Sequence, residues 1–106
     1  MIENLTKVIA IDFDGTLVEN CYPDIGPPKM HVINKAIKEK RNGTKLILWT
    51  CRCHKQLEDA VDYCKTFGLT FDAVNCNLPE RVELYKDDSR KVSADEYWDD
   101  RAVQFE

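Results

Sequence analysis

The sequence predicts an α/β fold: one doubly wound, Rossmann-like domain spanning residues 1–106, with a mostly parallel sheet and the first strand central. Three observations lead there. Short runs of apolar, β-branched residues alternate with segments whose apolar residues recur at helical spacing. The strand runs are apolar on both faces, as in parallel sheets covered by helices on both sides. The 106 residues suit a single domain with a modest core.

The first strand is expected over Lys7 to Phe13, stopping at the turn signal Asp14-Gly15. A loop marked by Pro23, Gly26, Pro27 and Pro28 follows. Met30, Ile33, Ala36 and Ile37 then keep helical spacing until Asn42-Gly43, predicting one amphipathic helix. Lys45 to Thr50 repeats the buried-strand pattern, and Leu57, Ala60, Val61, Cys64 and Phe67 mark a second helix ended by Gly68. Phe71 to Val74 is a shorter strand, and Leu78-Pro79-Glu80 opens a short helix with proline in its first turn. Ala94 to Trp98 reads as the last long strand, ending on Asp99-Asp100, and Ala102, Val103 and Phe105 add a final short pairing segment.

Composition narrows the function classes. Hydrophobic residues at 43% and charged residues at 32% fit a folded globule rather than a disordered chain. The formal charge of -4 comes without a basic block, so there is no strong signal for nucleic-acid binding, and a small-molecule substrate fits better. Met1-Ile2-Glu3-Asn4 carries no positive lead or long apolar run and no later segment approaches membrane-spanning length, so a soluble, untargeted protein is expected. Five cysteines, an odd number, mostly within regular elements, read as reduced core thiols in a cytoplasmic protein.

Function is read from the strand ends, because doubly wound sheets bind ligands beyond the carboxyl ends of their strands. Asp12 and Asp14 follow the first strand, Thr50 ends the second, and Asp99 and Asp100 end the last. Carboxylates gathered on one rim repel unless a cation lies among them. Oxygen ligands favour a hard ion, so Mg²⁺ is the expected metal. Asp12 and Asp14, two residues apart on an extended segment, point along the rim with Phe13 turned inward. Gly15 allows the backbone to turn close to a ligand, and Thr16 braces that turn, freeing N–H groups for phosphate oxygens.

Asp12-Phe13-Asp14-Gly15-Thr16 after an apolar strand resembles the first motif of the haloacid dehalogenase-like (HAD) superfamily. Leu46-Ile47-Leu48-Trp49-Thr50 is similar to its second motif, and Lys91 and Asp99-Asp100 stand in order for the third and fourth. The resemblance runs from Val8 to Asp100 and is nearest to small hydrolases of that superfamily lacking a cap domain, since neither long loop holds room for one. It implies a Mg²⁺-dependent phosphatase of phosphorylated small molecules, with Asp12 as nucleophile and Asp14 as general acid and base. Thr50 and Lys91 would hold the phosphoryl oxygens. The metal would be held by the Asp12 carboxylate, the backbone carbonyl of Asp14 and Asp99, with Asp100 orienting its waters or Lys91. Lys86, in the same polar stretch, competes with Lys91 for the lysine role. Without a cap the site is open, which predicts a neighbouring subunit over it or a large substrate.

Other readings stand beside this one. Asp12 and Asp14 alone could serve as turn residues, Asp99-Asp100 as a solvated pair, and Arg52 either as surface or as a contact to a substrate phosphate or carboxylate. Cys51-Arg52-Cys53-His54, with Cys64 or Cys76, offers thiols and an imidazole for Zn²⁺, but at poor spacing. A receiver-like signalling domain also carries rim acids, yet its phosphorylated aspartate ends the third strand, where this chain has Asn75. A catalytically silent module binding Mg²⁺ and phosphate is the remaining alternative.

Overall fold

The structure, a computed structural model, describes residues 6–105. Four strands, β1 (Val8–Ile11), β2 (Lys45–Leu48), β3 (Ala73–Val74) and β4 (Glu96–Trp98), form one all-parallel sheet in the order β3-β2-β1-β4. Three helices, α1 (Met30–Arg41), α2 (His54–Lys65) and α3 (Pro79–Tyr85), connect them. The architecture is the expected doubly wound, Rossmann-like α/β arrangement, with β1 central between β2 and β4.

Side-chain alternation along β1 and β2 builds two cores. Ile9, Ile11, Leu46 and Leu48 face one side and pack with Ile33 and Ala36 of α1 and Ala60 and Cys64 of α2. Val8, Ala10 and Ile47 face the other side and meet Leu78, at the start of α3, and Val92. The chain therefore steps β1 to β2 to β3 with both helices on one face, then recrosses beneath β1 with α3 on the other. Right-handed crossovers require this change of face when the direction of travel reverses. The reversal lies between β1 and β4, so the switch point opens beyond their carboxyl ends.

The edges differ from the sequence expectation. β3 and β4 are shorter than predicted because side-chain carboxylates replace ladder bonds: Asp72 accepts from the Leu46 N–H at 2.9 Å and Asp95 from the Val8 N–H at 2.7 Å. The final pairing segment does not form. Residues 102–105 follow a turn as irregular chain, with Val103 and Phe105 exposed.

One local element was not anticipated. After the Gly15 turn, the Glu19 N–H bonds the Pro27 carbonyl and the Lys29 N–H bonds the Leu17 carbonyl, with Val18 bridged to Pro28. This narrow antiparallel ribbon is possible because Gly26 lacks a side chain: a Cβ there would lie 2.1 Å from the Glu19 carbonyl oxygen. Leu17 and Val18 anchor it in the core, and its tip overhangs the end of β1. Among the described residues, no helix is long and apolar enough to cross a membrane.

Candidate functional site

Asp12 leaves β1 still bonded to the sheet through its N–H and the Trp98 carbonyl, so the end of the central strand fixes its position. Asp99 and Asp100 leave β4 beside it. Carboxylate oxygens of Asp12, Asp99 and Asp100 lie within 4.8 Å of one another. The Asp12 carboxyl is pushed up from its ordinary value of 3.8 to about 6, chiefly by burial and further by the charges of Asp99, Asp100 and Asp14. A hydrogen bond from the Phe13 N–H opposes the rise. A divalent cation among these oxygens would remove both penalties.

Gly15 makes the cluster possible. It has φ of +89°, and a Cβ there would fall 2.3 Å from Oδ2, 2.6 Å from Cγ and 2.9 Å from Oδ1 of Asp100. The Asp100 carboxylate thus occupies the place a side chain would take. Thr16 holds it from the other side: its hydroxyl accepts from the Asp100 N–H at 3.1 Å and lies 3.5 Å from Oδ1. The N–H groups of Gly15 and Thr16 bond the Val18 and Phe13 carbonyls. The expectation that this turn offers them to phosphate is corrected; Gly15 and Thr16 shape the acidic cluster instead. Lys29 locks the same turn, donating to the Gly15 carbonyl at 2.6 Å.

Asp14 is not in the cluster. Its two oxygens accept a fork of hydrogen bonds from Arg52, at 2.7 Å from Nε and 2.8 Å from Nη2. Arg52 is only 2% exposed, and its remaining donors bond the carbonyls of Asp24, Pro23 and Gln56. The guanidinium lies 5.0 Å from the centroids of both the Phe13 and Tyr22 rings. The surface reading of Arg52 is therefore corrected: it is buried, with all five of its donors engaged inside the protein. The Asp14 carboxylate faces Arg52; the metal ligand expected from Asp14 is its backbone carbonyl, which this pairing does not involve.

A cleft of about 660 Å³ opens over these residues. Asp12, Asp14, Asp99, Thr50 and Arg52 line it. Thr50 takes an N–H from Arg52 on its hydroxyl oxygen at 3.1 Å, which leaves its O–H proton to donate into the cleft. Lys91 is not brought there. The loop carrying it enters β4 from the amino end, whereas the cleft lies beyond the carboxyl end, and its ammonium rests 5.3 Å over the Tyr97 ring. Lys86 is no substitute, being paired with Glu83 at the exposed end of α3.

Cys51, weighed above as a Zn²⁺ ligand, also lines the cleft, and sequence reasoning missed Asn20, Tyr22, Trp49, Asn75 and Arg101, which complete the lining. Asn75, at φ of +55°, accepts the Thr50 N–H on its Oδ1 at 2.8 Å. The strand-end rule that found Thr50 would have found Asn75 after β3 and Arg101 after β4. Asn20 and Tyr22 ride on the ribbon, whose pairing no local pattern announces. Among the described residues, the metal-ligating side chains that converge are the three aspartates, and the thiols of Cys51, Cys53 and Cys76 with His54 form no such group. Cys64 is buried, and burial pushes its thiol up to about 12, so it serves as core.

No protein-family profile and no curated protein matches the chain. A solved structure does: a conserved protein of Bacteroides thetaiotaomicron, with a TM-score of 0.82 and 37% sequence identity. The match covers 93% of this chain and 79% of that one. At that identity and coverage, the chain belongs to the same family as this conserved Bacteroides protein.

Proposed function

We propose that the protein is a Mg²⁺-dependent phosphohydrolase that cleaves phosphate monoesters of small molecules, with Asp12 as nucleophile, as the resemblance to the HAD superfamily implies. The observation that carries this reading is the setting of Asp12: a half-buried carboxylate at the switch point, with Asp99 and Asp100 within 4.8 Å and the Thr50 hydroxyl in the same cleft. The donors are all oxygens, which suits a small hard cation, and the glycine at position 15 leaves room for the third carboxylate. Asp12, Asp99 and Asp100 would hold the ion, which when bound supplies charge neutralisation and polarises a phosphoryl oxygen.

The chain's own residues divide the reaction between them. Asp12 attacks phosphorus in line; the bond to the leaving oxygen breaks and an aspartyl phosphate forms. Asp14 gives its proton to the departing alkoxide. It then takes one from the water that attacks the phosphoenzyme, releasing inorganic phosphate and restoring Asp12. The Thr50 O–H and the Arg101 guanidinium supply donors to the phosphoryl oxygens.

Hydrolysis of an aryl phosphate with added Mg²⁺ tests the proposal. Activity should vanish with EDTA and in Asp12→Asn, and fall about 10²–10⁴-fold in Asp14→Asn toward substrates whose leaving group needs a proton. Turnover retained by Asp12→Asn would overturn it.

A further inference from the structure

We infer that Arg52 is a positioning residue that aims the proton of Asp14, an assignment that rests on the phosphohydrolase reading above. A carboxylate that is free to rotate presents its lone pairs in many directions. The Asp14 carboxylate is not free, because Nε and Nη2 of Arg52 meet its two oxygens at 2.7 and 2.8 Å. That fork fixes rotation about Cβ–Cγ and uses one lone pair on each oxygen. Of about four lone-pair sites on a carboxylate, two remain, one on each oxygen and each in a fixed direction, and Asp14 lines the cleft. The proton transferred to the leaving oxygen, and later received from water, is carried at one of these two sites.

The fork is itself held rigidly. Arg52 is buried, its other three donors are bonded to carbonyls of the ribbon tip and α2, and the Phe13 and Tyr22 rings lie 5.0 Å from it. Arginine keeps its charge in proteins, so the two donors of the fork are always in place. Arg52 borders the cleft, but all five of its donors are spent within the protein, so it acts through Asp14. Arg52 also ties Asp14 to the Pro23–Asp24 tip of the ribbon, which presents Tyr22 to the cleft, so the substrate wall and the proton donor share one anchor.

Leaving-group dependence separates positioning from scaffolding. A lysine keeps the charge but cannot form the fork. Values of kcat/KM, which report the step that cleaves the ester, are measured with Mg²⁺ for 2,4-dinitrophenyl phosphate, whose leaving group needs no proton, and for an alkyl phosphate, whose leaving group does. Arg52→Lys is expected to lose about 100-fold toward the alkyl ester, the scale of a misplaced catalytic group, and under about 3-fold toward the aryl ester, matching the pattern of Asp14→Asn. Combining both substitutions should lower alkyl-ester turnover no further than Asp14→Asn alone. Equal losses toward both esters, or additive losses in the double variant, would overturn the assignment. If Arg52→Lys does not fold, Arg52→Ala is assayed with millimolar guanidinium: selective recovery toward the alkyl ester supports the role, and recovery toward both or neither rejects it. Asp12→Asn serves as the separate control, since its turnover bears on the phosphohydrolase reading and not on Arg52.

Discussion

Gly15→Ala should damage stability and cation binding by separate routes. An L-residue at the observed φ of +89° costs about 1–2 kcal/mol in backbone strain. For a domain of this size that lowers the melting temperature by roughly 5–15 °C. The added methyl also lies 2.3–2.9 Å from the three carboxylate atoms of Asp100, so that carboxylate must leave the cluster. Losing one well-held acid weakens a metal about 10–100-fold. Thermal melts with and without Mg²⁺ read both effects. At an ion concentration about 100 times the native Kd, the native chain gains about 2.7 kcal/mol, whereas the variant should gain only ~0.4–1.4 kcal/mol. Asp100→Asn separates the two routes: it should show the same reduced Mg²⁺ gain without the loss of metal-free melting temperature. An unchanged Mg²⁺ affinity in Gly15→Ala would refute the reasoning, because Asp100 would then be no part of the ion site.

Two further outcomes follow from the site. The Asp12 carboxyl is raised to about 6 from an ordinary 3.8, so protonation of Asp12 favours the folded state; its contribution is complete below pH ~4 and is lost as pH rises through about 6. The full shift corresponds to about 3 kcal/mol, and because the residue is partly exposed, ~1–2 kcal/mol is expected after screening. Metal-free urea titrations of the native chain and Asp12→Asn across pH 4–7 check it, the native chain losing stability relative to the variant as pH rises; a native chain gaining stability relative to the variant would contradict it. Arg101→Ala should raise KM for a phosphate ester about 10-fold or more, the scale of a lost charged hydrogen bond, while Lys91→Ala should leave turnover within about 3-fold because its ammonium sits on Tyr97. Steady-state kinetics of the two variants decide between these cations, and the reverse ranking would restore the lysine role.

Much of the fold was legible because both-face apolar runs and helical spacing are local signals. Ile9, Ile11, Leu46 and Leu48 were readable as one buried face without knowing their partners. The edges were not legible, since β3 and β4 begin where Asp72 and Asp95 reach across the chain to the N–H groups of Leu46 and Val8. Val103 and Phe105 carry a strand pattern but stay exposed, because an apolar pattern makes a strand only where an edge receives it.

The site divides the same way. Asp12, Asp99 and Thr50 were readable from strand ends alone. Arg52 was not, because its pairing with Asp14 spans 38 residues and depends on the ribbon closing over it. Lys91 holds its place in chain order but not in space: a motif read as a sequence of residues cannot show that its loop approaches the wrong end of β4. Arg101 follows the two acids directly and was within reach of the same strand-end rule.

The most direct measurement looks for the phosphoryl group on the protein. Protein mixed with Mg²⁺ and 2,4-dinitrophenyl phosphate is quenched in acid within one turnover, reduced with borohydride to convert an aspartyl phosphate to homoserine, and mapped by peptide mass spectrometry. Homoserine at residue 12 alone, absent in Asp12→Asn and accumulating in Asp14→Asn, is the expected result. Turnover with no modified aspartate, or modification at Asp14 or Asp99 in place of Asp12, would contradict the assignment of Asp12 as nucleophile.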